Sequence, residues 1–297
     1  MTRVAAVDIG TNSTRLLVAD VEGQGRDAKL VPVERRTRIT RLGQGVDRER
    51  ALHPDAIVRT LEVLRAYREV TDGLGVERLR ATATSASRDA VNRDAFFDPA
   101  EAVLGVRPEL LTGDDEARLE FEGATSGLDL PGPYLLVDVG GGSTEFIAGT
   151  ETPDGLCSID VGCVRLTEQY LRSDPPRPEE LSQAVSVVRS HLADVDRLVP
   201  SAAGAPTLIG TAGTVWTLAA IELGVDAARS DLIDHFRLTR AAAEDVFRTL
   251  ATEPIARRLH NPGLEPGRVD VIVGGAIVVV SVMRHWGHDS LLVSEAD

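Results

Sequence analysis

Residues 5–19 read AAVDIGTNSTRLLVA, and residues 135–149 read LLVDVGGGSTEFIAG. Aligned at a constant offset of 130 positions, they share Val7 with Val137, Asp8 with Asp138, Gly10 with Gly140, Ser13 with Ser143 and Thr14 with Thr144. Each copy is an apolar run, a short Gly/Ser/Thr turn and a second apolar run, which is the pattern of a β-hairpin. The fixed offset predicts a duplicated domain, with hairpins at residues 4–20 and 134–148 whose turns converge across a cleft. Glycines in such turns permit positive φ and let the backbone approach a ligand. Successive backbone N–H groups and hydroxyls can then surround an anion. Gly10, Thr11, Asn12 and Ser13 are therefore expected to bind phosphate, as are Gly140, Gly141, Gly142, Ser143 and Thr144. Asp8 and Asp138 end the first strand of each hairpin and bring a carboxylate beside that anion, suited to Mg²⁺ or, as a substitute, Mn²⁺.

Working outward, VERLRATAT at residues 76–84 reads as a strand and SASRDAVN begins a helix, with Ser85 or Ser87 as N-cap and continuation toward Leu104. Arg88 then lies in a first helical turn, where a cation opposes the helix dipole, and this points to another role for the charge, with an exposed surface arginine as the plainer reading. The stretch from His53 to Glu69 has Pro54 near its start and Ile57, Leu61 and Leu64 on one face, which is packing. LLTGDDEARLEFEGA at residues 110–124 starts a helix at 112–115 with Glu116 in its first turn. On the residues alone, Asp114, Asp115 and Glu116 read as capping and dipole chemistry. Residues 126–133, SGLDLPGP, form the expected boundary between an N-terminal domain at 1–128 and a C-terminal domain at 129–297. SDPPRP at 173–178 reads as a loop. GTAGT at 210–214 follows apolar PTLI and can either pack tightly or contact phosphate, and VIVGGA at 271–276 opens the last long apolar element.

Composition limits the function classes. The chain has 297 residues, 43% hydrophobic and 26% charged, enough for two ordinary domains. A net charge of −14 and a pI near 4.9 disfavour nucleic acid and anionic membranes as partners. A polyanionic substrate remains compatible if cations concentrate locally. Arg35, Arg36, Arg38 and Arg41 are one such concentration, with a solvated strand face as the plainer reading. The longest apolar run, Val271 to Met283, is broken by Gly274 and Gly275 and falls short of the roughly 20 residues of a membrane span. No basic, apolar leader opens the sequence, so a cytoplasmic protein is expected. Cys157 and Cys163 form no metal-type pair and are expected as free thiols.

AAVDIGTNSTRLLVAD, TATSASRDAVN, LTGDDEARLEFEGA, LLVDVGGGSTEF, SIDVGCVRLTE, GTAGT and VDVIVGGA, in this order over nearly the whole chain, resemble the exopolyphosphatase / guanosine pentaphosphate phosphohydrolase family. The resemblance implies an α/β fold of two ribonuclease-H-like domains of the actin and sugar-kinase type. It implies Mg²⁺-dependent release of terminal phosphate and a homodimer. It places the catalytic carboxylate on Glu116, a phosphate-contacting arginine on Arg88, second-loop carboxylates on Asp138 and Glu145, and first-loop contacts on Asp8, Gly10, Asn12 and Ser13. Glu145 assists with metal or water; its repeat partner is Arg15, so the two loops do different jobs. In the family the segment matching VSEAD continues into a further Gly-containing helix, and long variants add C-terminal helical domains that extend a polyphosphate channel; the sequence ends at Asp297.

Inorganic polyphosphate is the expected substrate and guanosine pentaphosphate the alternative, since both use the same catalytic parts. A small-molecule kinase would need an adenosine pocket and an acceptor site, and DDEARL favours water as acceptor. A non-catalytic nucleotide sensor would not need Asp8, Glu116, Asp138 and Glu145 together.

Overall fold

The computed structural model describes every residue except 24–28, 126, 127, 129, 131, 296 and 297. The chain divides into two compact units, Met1–Thr112 and Gly113–Asp297.

In the first unit, β1 (Thr2–Ile9), β2 (Ser13–Glu22) and β3 (Lys29–Ile39) form an antiparallel meander. Helices α1 (Val46–Glu49) and α2 (Pro54–Gly73) lead to β4 (Arg78–Ala83), parallel to β1. Then α3 (Ser85–Asp89) and α4 (Asp94–Leu104) lead to β5 (Glu109–Leu110), giving the order β3-β2-β1-β4-β5. Alternation along the strands separates two faces. Val7, Ile9, Leu16 and Val18 are buried against Leu61, Leu64 and Tyr67 of α2 and Phe96 and Leu104 of α4, while Ala6 and Arg80 on the other face are exposed. The expected packing face of α2 is confirmed, with His53 as its N-cap.

The expected single helix from residue 85 toward 104 is instead two helices, and long-range bonds explain the break. Val91 N donates to Arg50 O, while the Asn92 side chain accepts from Leu52 N and donates to Leu52 O. These bonds pull residues 90–93 out of helical geometry. Arg88 consequently sits in the last turn of α3, where a cation suits the dipole, and not in the first turn of a long helix. Neither serine caps α3: Thr84 occupies that position, and the Ser85 hydroxyl is bonded elsewhere.

The second unit begins with α5 (Gly113–Thr125), followed by β6 (Tyr134–Val139), β7 (Thr144–Gly149) and β8 (Pro153–Ile159) as another antiparallel meander. Then come α6 (Cys163–Tyr170), α7 (Pro178–Leu198), β9 (Thr207–Thr211), α8 (Ala212–Leu223), α9 (Ser230–Ile233), β10 (Arg237–Thr239), α10 (Arg240–Thr252), α11 (Ile255–Arg258), α12 (Ile272–His285) and β11 (Ser290–Val293). The sheet order is β10-β11-β9-β6-β7-β8. Read from its far end, β8-β7-β6-β9-β11 repeats β3-β2-β1-β4-β5, with β9 parallel to β6 and β11 parallel to β9. A three-stranded meander followed by parallel strands reached through helices is the ribonuclease-H-like arrangement, here present twice.

The second sheet is covered on both faces, as the nearly continuous burial of β6 and β7 requires. One face packs on α12, which is apolar all round and buried from Ile272 to Met283. No described helix is long and apolar enough to cross a membrane. The other face packs on α5 through Ala117, Phe121 and Ala124 against Tyr134, Leu136, Ile147 and Ile209. Because of that contact the compact units part at 112/113, whereas the expected boundary at 128/129 lies after α5. Four residues of the expected linker, 126, 127, 129 and 131, lie outside the described residues.

Candidate active site

At the first turn, Gly10 N donates to Ser13 O at 2.9 Å, closing the loop. Gly10 and Gly140 do not use positive φ, contrary to the sequence expectation. They are needed for space: a Cβ would lie 3.0 Å from Ser13 O at Gly10 and 3.1 Å from Ser143 O at Gly140. The loop is held from behind. Asn12 O accepts from both Thr40 N and Arg41 N, and Thr11 O accepts from Gly43 N. The Thr11 and Ser85 hydroxyls bond at 2.7 Å, tying α3 to the loop. Both polar ends of the buried Asn12 amide and the buried Ser87 hydroxyl lack hydrogen-bond partners among the described residues. Buried polar atoms in native proteins are nearly always satisfied, so these groups are suited to a ligand. Arg88 holds α3 to the residue that follows β5, through Nη1 to Leu111 O at 2.8 Å.

The second loop is backed in the same way, by the segment after β8. Gly140 O accepts from Cys163 N at 2.9 Å and Gly141 O from Val164 N at 2.8 Å. Gly162 is pressed against the loop: a Cβ there would lie 2.5 Å from Gly141 C and O and 2.7 Å from Gly142 N. The shared threonines do equivalent work. Thr14 Oγ1 bonds Thr40 Oγ1 at 3.0 Å, and Thr144 Oγ1 donates to Val161 O. Both are fully buried, so Thr144 ties its hairpin to the backing segment, and Ser143 is buried beside it.

Cross-strand register pairs Asp8 with Arg15 in the first hairpin and Asp138 with Glu145 in the second. Directly opposed residues share a face with Cβ atoms about 5 Å apart. Burial pushes the Asp8 carboxyl up, opposed by the Arg15 charge and by the Thr82 hydroxyl, which donates to Asp8 Oδ1 at 3.4 Å. Glu145 is buried and accepts from Ser158 Oγ at 2.7 Å. Burial, with Asp114 and Glu145 nearby, raises the Cys157 thiol to about 11. Both cysteines are free, as expected.

Glu116 lies in the first turn of α5 and is half-buried. Gly113 opens this turn directly over Ser158, where a Cβ would come within 2.6 Å of Ser158 Cβ. One serine therefore touches the start of α5 and bonds Glu145. Glu116 and Glu145 are thereby assigned to one neighbourhood of the second unit, which chain order alone does not show. Among the described residues no three carboxylate, imidazole or thiol groups converge on a point. Mg²⁺, however, is commonly held by one or two carboxylates completed by substrate phosphate and water. The hard-oxygen pair Asp138 and Glu145 on one sheet face fits that pattern.

Sequence reading missed several residues at these loops. Gly43 and Gly162 form the backs of the two turns; a Cβ at Gly43 would meet Thr11 Cγ2 at 2.3 Å. At GTAGT, Thr211 stands beside Asp138 in register, and its buried hydroxyl lacks a partner among the described residues. Ala212 takes φ 63, unusual for a residue with a Cβ. Buried Arg268, bonded by Nε to Glu265 at 3.0 Å, lays its guanidinium where a Cβ of Gly213 would be. The signal available was a glycine with no turn to explain it.

Two copies of a ribonuclease-H-like sheet, each carrying a phosphate-type loop between its first strands and the second flanked by carboxylates, define an actin-like protein of phosphate chemistry. The model of the Ppx/GppA phosphatase family matches residues 6–296, and the chain belongs to that family. It is 44% identical to exopolyphosphatase 2 of Mycobacterium tuberculosis, over 100% of this chain and 96% of that protein. The crystal structure of an exopolyphosphatase-like protein is similar with a TM-score of 0.91 and 38% identity, covering 99% of this chain and 95% of that one. The Aquifex aeolicus Ppx/GppA family member has a TM-score of 0.81 and 31% identity, covering 99% and 94%.

Proposed function

We propose that this protein is an exopolyphosphatase, a phosphoanhydride hydrolase that releases terminal orthophosphate from inorganic polyphosphate. The observation that carries this reading is the 44% identity to exopolyphosphatase 2 across the full chain. The guanosine pentaphosphate alternative has no comparable support.

In this reading each unit supplies one phosphate loop. The Asn12 amide, Ser13 and the Ser87 hydroxyl, with Arg88, meet phosphate oxygens at the first. The backbone around Gly140, Gly141, Gly142 and Ser143 meets them at the second. Glu116 is the base: it takes a proton from water as the water oxygen bonds to the terminal phosphorus. The bridging P–O bond breaks, and the shortened chain leaves with that oxygen and its electron pair. Glu145, fixed by Ser158, orients the water or the metal shell. Asp138 in the second unit, and Asp8 in the first, are the carboxylates that would hold Mg²⁺, which would supply positive charge to the phosphate oxygens. The enzyme acts in the cytoplasm.

Phosphate release assayed separately on polyphosphate, guanosine pentaphosphate, and ATP with sugars tests the assignment. Release from polyphosphate well above the others is expected. Turnover confined to guanosine pentaphosphate, or transfer to a sugar, refutes it.

A further inference from the structure

One cationic feature of the first unit is not used by that chemistry. Residues 35–41, RRTRITR, hold four arginines and no carboxylate in a chain of net charge −14. Most of them lie on β3, which is the edge of its sheet. Arg35, Arg36 and Arg38 are exposed. Arg36 has a surface pair with Glu34, of the kind worth little in water. Arg35 and Arg38 make no hydrogen bond or ion pair among the described residues.

The strand is rigidly placed. The Tyr67 hydroxyl donates toward Thr14 O at 2.9 Å and Arg36 O at 3.3 Å, pinning β2 to β3 from below. Arg59 Nε donates to Thr40 O at 2.7 Å, and Thr40 N donates onward to Asn12 O. The end of β3 therefore runs straight into the back of the first phosphate loop. Ile39 is the register partner of Ser13, and Arg38 pairs with Thr14 one step away. Arg35 is four residues from Ile39, about 13 Å along the strand.

Successive side chains of a strand point to opposite faces, so Arg35 reaches over one face while Arg36 and Arg38 reach over the other. Between them the outer rim of the edge strand presents backbone N–H groups, alternating with carbonyls, that no described strand pairs. A sheet edge of this kind is an anion-binding concavity. Its length suits an extended polyanion better than a single phosphate.

We propose that the β3 edge, through Arg35, Arg36 and Arg38, holds the part of the polyphosphate chain that trails away from the first phosphate loop. The site makes the enzyme favour long chains over short ones. It rests on the exopolyphosphatase reading, and it competes with one simpler role for these charges, keeping sheet edges of two molecules apart.

The test is the Arg35→Gln/Arg38→Gln double variant, assayed with tripolyphosphate and with chains of hundreds of phosphates. Two exposed cation contacts removed should raise KM for the long chain about five- to twenty-fold at low salt. The kcat on both substrates and KM for tripolyphosphate should stay within about two-fold, because neither arginine touches the terminal phosphates. The slope of log(kcat/KM) for long chains against log salt should become shallower by about 1.4. Arg35→Lys/Arg38→Lys should restore most of the loss. Unchanged long-chain KM in the glutamine variant overturns the proposal, as does an equal rise for tripolyphosphate. Self-association of the variant with unchanged long-chain KM assigns the arginines to edge protection. Fluorescence anisotropy of labelled long polyphosphate on wild type and variant separates this inference from the activity: equal binding refutes the tail site even if neither substrate is hydrolysed.

Discussion

Gly162→Ala tests how the second loop is built. A Cβ at this position would sit 2.5 Å from the Gly141 carbonyl carbon and oxygen and 2.7 Å from Gly142 N. All three are backbone atoms, so no side chain can rotate away. Ordinary contact begins near 3.4 Å, and the loop and the start of α6 must separate by about 0.9 Å. The hydrogen bonds from Cys163 N and Val164 N to the same loop resist that movement. Overpacking of this degree costs about 1–3 kcal/mol. A displacement of about 1 Å in groups that position a reacting phosphate costs about 10²-fold in turnover. We therefore expect phosphate release from polyphosphate to fall about 10²-fold while thermal melting shows a folded protein. Gly73→Ala is the matched control: nothing lies within 4 Å of its added Cβ and it is in α2, so it should gain about 0.5–1 kcal/mol and keep full activity. A folded Gly162→Ala enzyme with wild-type kcat/KM would refute the claim that this backbone contact sets the loop.

Glu116→Gln should lower turnover about 10²–10⁴-fold with little change in melting. Asp115→Asn, its neighbour in the same first turn, should change stability by about 0.3–1 kcal/mol and turnover little; comparable turnover in the two variants sinks the role of Glu116. Chelator should abolish activity and Mg²⁺ or Mn²⁺ restore it, and Asp138→Asn should raise the Mg²⁺ concentration needed more than Asp8→Asn does. Metal titration of the two variants reads this directly, and full turnover with negligible metal contradicts it. The Cys157 thiol, raised to about 11, should react with a thiol reagent at pH 8 about two hundred-fold more slowly than free cysteine. Its neutral form is favoured by the fold, so the associated stability is present below the ordinary thiol pKa and is lost as pH rises through about 11. Rapid labelling in the folded state would show that the site is open.

The hairpins were legible because their signal is local: strand, turn and strand follow one another within 15 residues. Their supports were not, because each comes from elsewhere in the chain. Gly162 reads as an ordinary loop glycine until it is seen against Gly141, and Asn92 gives no sign in sequence that it will clamp Leu52 and end α3 early. The start signal at 112–115 marked α5 as a helix but could not say which sheet it covers. That is settled by Phe121 and Ala117 packing beneath Ile147.

The difference between the two copies is informative at a single pair of positions. Asp8 faces Arg15, and Asp138 faces Glu145, in the same register on equivalent strands. The repeat shows the exchange of charge in sequence, and the register shows that it occurs directly opposite the loop aspartate. In the first hairpin the Arg15 charge opposes the burial that pushes the Asp8 carboxyl up. In the second, two carboxylates stand opposed in register, a pair of hard oxygens of the kind that divalent ions bind. One exchange of charge therefore gives the two hairpins different electrostatics opposite the same loop aspartate.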